Sequence, residues 1–224
     1  MREVVLDTET TGLDPAAGHR VVEIGCVELV NHLPTGESLQ LYINPEREMP
    51  HEAFEVHGLS DGFLADQPKF HEIVETFQDF VGDSRLVIHN AGFDLKFLNA
   101  ELAALDRPPI AADRAVDTVR LARQKYPGAP ASLDALCRRF AIDASARAKH
   151  GALLDAELLA EVYLELVGGR QPDLTLDRNV EAAPTTRLET TTRPPRAHAP
   201  NAAEVAAHEE FVAAEIPMPI WKRD

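Results

Sequence analysis

Asp7 and Glu9 stand two residues apart, just after the apolar run Val4-Val5-Leu6. If that run is a β-strand, side chains two apart share a face, so both carboxylates project together. Two like charges placed that way repel unless a cation holds them. Thr10-Thr11-Gly12 follows as a tight exit where backbone can approach a ligand. A second acid, Asp94, closes the stretch His89-Asn90-Ala91-Gly92-Phe93-Asp94, where a short apolar strand runs through small residues into a helix. A third cluster, His150-Gly-Ala-Leu-Leu-Asp155-Ala, sets a histidine on a loop and an aspartate beside an apolar helical stripe. Burying that aspartate is costly unless something pairs with it.

Taken singly, each piece has an ordinary reading. Asp7 and Glu9 read as a solvated pair, Asp94 as an acid favoured by a helix N-terminus, and His150 as a surface loop residue. Taken together they make a specific chemistry. Mg²⁺ and Mn²⁺ take hard oxygen ligands. Two such ions about 3.5–4 Å apart can clamp the attacking and leaving oxygens of a phosphodiester. That work needs several carboxylates from different elements and a base that accepts the proton of the attacking water. Histidine suits the second role. The base must be unprotonated, so the expected pH optimum lies above neutrality.

The elements that must hold these groups can be read from the patterning. Strands are expected at 3–7, 20–30 and 37–43, the last two joined by a loop containing Pro34 and Gly36. Residues 50–63 read as irregular. Phe70, Ile73, Val74, Phe77 and Val81 have helical spacing over 70–81. A short buried strand at 86–88 leads to a helix over 93–105. Another strand at 115–117 leads to a helix over 118–125. Ser132 reads as the N-cap of a helix to Phe140. Residues 151–167 form the last strong helix, ended by Gly168-Gly169. Early strands followed by alternating helices and strands predict an α/β fold with a mixed sheet.

Composition bounds the rest. The chain has 224 residues, 45% of them hydrophobic, and only two cysteines, Cys26 and Cys137. No C-x-x-C spacing occurs, which excludes a disulfide framework and a zinc ribbon, and a reducing cytoplasm is the expected compartment. No apolar run reaches the roughly 18 residues of a membrane span. A formal charge of −15 argues against gripping nucleic acid over a broad basic face. It leaves room for a small acidic site where bound cations reverse the local sign.

Composition shifts near residue 170. Residues 1–170 read as one domain. Residues 171–200 read as a largely flexible linker, rich in Thr, Arg, Pro and Ala. Residues 201–224 form a C-terminal segment, opened by the capping box Asn201-Ala-Ala-Glu204 and closed by an apolar end holding Trp221, the only tryptophan.

D-T-E-T-T-G, H-N-A-x-F-D and H-x-A-L-x-D-A, in that order, resemble the three motifs of the DEDDh 3′→5′ exonucleases. The resemblance covers residues 3–167 and finds no catalytic position missing. It implies an RNase H-like α/β fold, with a mixed central sheet flanked by helices. It implies two Mg²⁺ or Mn²⁺ ions and release of nucleoside 5′-monophosphates. By motif, Asp7, Glu9 and Asp155 hold the first ion, Asp7 bridges to the second, Asp94 supports the second, and His150 is the base. Glu52 and His57 match positions that contact the terminal nucleotide, and Thr10 and Thr11 would offer backbone N–H groups to it. More narrowly, the chain resembles the proofreading epsilon subunits of bacterial DNA polymerase III. Gln171-Pro-Asp-Leu-Thr-Leu176 is similar to a sliding-clamp-binding peptide. Residues 201–224 resemble the segment by which such subunits hold the polymerase alpha subunit, with a DNA 3′ end as substrate. Two readings of other kinds stand beside this one: a ribonuclease trimming RNA 3′ ends, and a non-catalytic scaffold for a polymerase.

Overall fold

Alternation along the first strand sorts the protein into two apolar layers. β1 (Arg2–Thr10) places Val4 and Leu6 in one buried cluster and Val5 in the other. The first cluster packs α3 (Phe70–Val81) and α4 (Ala91–Ala103) on one face of the sheet. The second packs α5 (Thr118–Lys125), α6 (Leu133–Phe140) and α7 (Ala152–Leu166) on the other. By the same period of two, Asp7 and Glu9 share Val5's face, toward α7, and Thr8 shares the face toward α4.

Between the layers lies a mixed sheet of β1, β2 (Val21–Val30), β3 (Leu33–Tyr42), β4 (Arg85–Ile88) and β5 (Ala115–Asp117), in the order β3-β2-β1-β4-β5. β1, β2 and β3 are antiparallel neighbours, while β4 runs parallel to β1 and β5 parallel to β4. Leu6 pairs with Ile88, and Ile88 with Asp117, so β4 and β5 end level while β1 runs on past them to Thr10. The carboxyl ends of parallel strands are where such sheets bind ligands.

This computed structural model describes residues 1–145, 150–168 and 199–216. The chain divides into two units, Met1–Leu174 and Thr175–Asp224. In the second, the side chain of Asn201 accepts from Ala203 and Glu204 N–H, and Glu204 accepts from Asn201 N–H, completing the expected capping box. It opens α8 (Ala202–Glu215), an exposed helix that presents Val205 and Phe211. The clamp-like peptide at 171–176, most of the linker and residues 217–224 with Trp221 lie outside the described residues. No described helix is long and apolar enough to cross a membrane.

Two expectations need correction. Pro34 and Gly36 belong to β3 itself, and the hairpin turns earlier, at Asn31 and His32, both with positive φ. β3 is the sheet's edge, where a proline that cannot donate is tolerated. Residues 50–63 are not irregular. They form α1 (His51–His57), closed by left-handed Gly58, and α2 (Asp61–Ala65), capped by the Ser60 hydroxyl. Elements this short carry too few apolar repeats to register as periodic.

Candidate active site

β1 carries its carboxylates beyond the last residue paired with β4, and its register with β2 shifts between Glu9 and Thr10. A bulge at such a place re-aims the side chains beside it. Asp7 pairs with Gly25 of β2, and Gly25 is what lets the third motif arrive. A Cβ there would sit 2.2 Å from backbone atoms of Ala152 and Leu153. The absent side chain therefore seats the first turn of α7 directly on the sheet. Asp155 follows one turn on, 3% exposed, its N–H donating to Gly151 O at 2.9 Å. His150, in the loop before α7, is held from the other side. Its N–H donates to Val56 O of α1 at 3.2 Å, and its Nδ1 stands 3.2 Å from Asp155 Oδ2.

Asp94 reaches the site from the opposite layer. The αL conformation of Asn90 turns the chain from β4 into α4, and Asp94 lies in the first turn, 3% exposed. Thr8 Oγ1–H donates to Asp94 Oδ1 at 2.7 Å, as the strand's alternation requires. Burial pushes the Asp94 carboxyl from 3.8 up to about 7, against the opposing pull of the Thr8 hydroxyl and backbone N–H groups. The nearby Asp117 charge adds to the rise.

Asp7, Glu9, Asp94, His150 and Asp155 thus line one cavity of about 260 Å³. Among the described residues, Glu9, His150 and Asp155 bring their ligating atoms within 4.8 Å of one another. Four carboxylates and an imidazole around one space make a donor set that fits a divalent cation with a preference for oxygen. A buried acid whose charge is unfavourable without a counter-ion is what such a set leaves behind.

A second, mostly apolar pocket of about 510 Å³ shares Thr8, Glu9 and Phe93 with the first. Thr10, Thr11, Glu52 and His57 line it. His57 is 7% exposed, and Leu59 N–H donates to its Nδ1 at 3.0 Å, which leaves Nε2 as the protonated nitrogen of the neutral ring. Thr11 corrects an expectation: its N–H donates to Arg20 O at 2.9 Å, so it is not offered to a ligand. Its hydroxyl accepts from Arg20 N–H, which ties the β1 exit to the start of β2. Arg20 then forks onto Glu101 of α4, with both N–O distances 2.7 Å. Motif reasoning missed Thr8, Gly25, Val56 and the Arg20–Glu101 fork. For Thr8 and Gly25 a signal was present, in the strand's alternation and in a glycine placed mid-strand. For the other two, which meet across long sequence separations, there was none.

Residues 4–163 match the family model described as Exonuclease, RNase_T. The chain belongs to this exonuclease family. Relatives named DNA polymerase III subunit epsilon agree over most of its length. One from Rickettsia felis is 55% identical over 185 residues, 81% of each chain. One from Escherichia coli is 46% identical over 176 residues, 75% of this chain and 72% of that one. Solved structures agree with the fold. The nuclease domain of 3′hExo, a DEDDh family member bound to rAMP, superposes with a TM-score of 0.64 at 18% identity, over 74% of this exonuclease and 91% of that chain. Exonuclease X in complex with 5′ overhanging duplex DNA does so with a TM-score of 0.58 at 22% identity, over 73% and 90%.

Proposed function

We propose that this exonuclease removes nucleotides one at a time from DNA 3′ ends, as the proofreading epsilon subunit of a bacterial DNA polymerase III in the cytoplasm. The observation that carries the reading is the meeting of Asp7, Glu9, Asp94, His150 and Asp155 in one cavity, beside a pocket of nucleotide size.

Asp7, Glu9, Asp94 and Asp155 would hold two divalent ions, Mg²⁺ or Mn²⁺. When bound, the ions supply charge stabilisation at the phosphate that the carboxylates alone cannot. The chain's own residues do the rest. The terminal nucleoside enters the apolar pocket, between the Thr10-Thr11 exit and α1. The Nε2–H of His57 and the Glu52 carboxylate lie there to meet its polar edges. His150 accepts a proton from the attacking water. Its loop, pinned to Val56, keeps it at the mouth of the cavity. A P–O bond forms from water, the P–O3′ bond breaks, and the products are a nucleoside 5′-monophosphate and a strand with a new 3′-hydroxyl.

The C-terminal segment supplies the partner. α8 presents Val205 and Phe211 to solvent, and the end beyond it is apolar. Residues 201–224 would anchor the polymerase alpha subunit, and Gln171 to Leu176 the clamp. A tether raises the effective concentration at the primer end, so a chain of charge −15 needs little DNA affinity of its own.

Matched DNA and RNA oligonucleotides labelled at the 5′ end test the reading. Ladder-like shortening of DNA from the 3′ end is expected, and it should vanish in Asp7→Ala. A strong preference for RNA would replace the reading with an RNA trimmer. Deleting residues 201–224 should abolish co-purification with the alpha subunit and leave single-strand activity intact. Loss of both together would count against a separable tether.

A further inference from the structure

The acidic cavity has a second neighbour. A groove of about 640 Å³ shares His89 and Ser132 with it, and extends away along α5. Its wall carries Arg120, Arg123 and Gln124, at positions i, i+3 and i+4 of the helix, so all three present to one side. Both arginines are exposed, and among the described residues neither guanidinium is held in a hydrogen bond or ion pair. In a chain with 37 acids against 22 bases, two guanidinium groups one turn apart, unpaired among the described residues, are a local reversal of charge. Arg20, Arg107 and Arg2, by contrast, are each engaged with a glutamate.

The three spaces lie in sequence: the apolar pocket, the carboxylate cavity, the basic groove. Each adjoining pair shares residues, Thr8, Glu9 and Phe93 on one side and His89 and Ser132 on the other. A strand being shortened has the same three parts. Its terminal nucleoside is apolar-faced, its scissile phosphate is the reacting centre, and the retained strand is a run of phosphates.

We infer that the groove along α5 binds the retained strand, with Arg120 and Arg123 contacting the phosphates next to the scissile one. The inference rests on the proposed function and adds the path of the substrate. Guanidinium is suited to phosphate by its fork of N–H donors. Asp117 also lines the groove, but its carboxylate is turned to its own helix, accepting from Val119 and Arg120 N–H at 2.9 and 3.3 Å. The two arginines are positioning residues, outside the carboxylate cavity and the terminal-nucleoside pocket.

The test compares two substrates in the full chain with Mg²⁺. One is a single-stranded DNA oligonucleotide. The other is the 4-nitrophenyl ester of thymidine 5′-monophosphate, where nitrophenol stands in place of the retained strand. In Arg120→Gln/Arg123→Gln, KM for the oligonucleotide should rise about 10-fold. The slope of log KM against log salt should fall by about 1.4, two phosphates at roughly 0.7 each. Turnover of the nitrophenyl ester should stay at the wild-type rate, which a folding defect would not allow. Arg120→Lys/Arg123→Lys should restore most of the salt dependence. Equal loss on both substrates would overturn the inference, and so would no change on the oligonucleotide. A wild-type chain that hydrolysed the ester but did not shorten the strand from its 3′ end would overturn the proposed function and the groove's role with it.

Discussion

Replacing Asp94 by Asn removes a charge that the fold holds only at a cost. The carboxyl is nearly dry, and burial raises it from 3.8 to about 7. At about 1.4 kcal/mol per pH unit, the ionised form without a cation costs the native state about 4 kcal/mol, an upper figure. The sign follows from linkage. Below 3.8 the group is protonated in both folded and unfolded chains, and the cost is absent. Between 3.8 and about 7 the folded chain binds the extra proton, so stability falls as pH rises. Above about 7 the whole cost is present. Asn keeps an oxygen to accept from Thr8 Oγ1–H but brings an amide that needs its own partners, so part of the gain is lost. Urea unfolding in EDTA at pH 8 should show Asp94→Asn more stable than wild type by about 1–3 kcal/mol, on a small net hydrogen-bond balance. The difference should shrink at pH 5. Excess Mg²⁺ should stabilise the wild type, by about 2.7 kcal/mol at 100 times Kd, and the variant far less. Activity should fall by about 100- to 1,000-fold, as when a group stabilising transition-state charge is removed. If the variant were less stable than wild type in EDTA at pH 8, Asp94 would be a structural ion, and the reasoning would be refuted.

Two further substitutions probe what positions the carboxylates. Gly25→Ala drives a methyl group into the backbone of Ala152 and Leu153. It should cost about 1–3 kcal/mol by overpacking and lower kcat more than that loss of stability explains. Wild-type turnover in this variant would mean that the seat of α7 does not place Asp155. Arg20→Met should cost about 2–3 kcal/mol, because it strands Glu101, which is 4% exposed. The figure sits below that for a fully dry pair because the Arg20 side chain is about a third exposed. Adding Glu101→Met should recover most of that loss in urea unfolding, and no recovery would mean the arginine stem, not the charge pair, carries the effect.

The parts of the fold legible in the sequence were those written in periodicity or punctuation. Phe70 to Val81 repeats at helical spacing over its whole length, and Ser132 marks its helix by a cap. The same holds for the five site residues, whose motifs are local. The span of β3 was less legible, because an edge strand exposed along most of its length has no alternation to keep and admits Pro34. α1 and α2 escaped for lack of length, although Ser60 and Gly58 stand at their ends as caps. The supports of the site, Val56 to His150 and Arg20 to Glu101, join residues about 80 or more positions apart. No local pattern encodes them, since they arise only when the layers close on the sheet.

The seat that Gly25 provides for α7 has a consequence during synthesis. Asp7 and Glu9 leave the ribosome early, but Asp155 comes from the last helix of the domain, and His150 from the loop just before it. Until α7 docks on β2, His150 and Asp155 stand apart from Asp7, Glu9 and Asp94, and the cavity is incomplete. A site built this way stays unassembled through most of the chain's own translation. It closes only when the domain is whole.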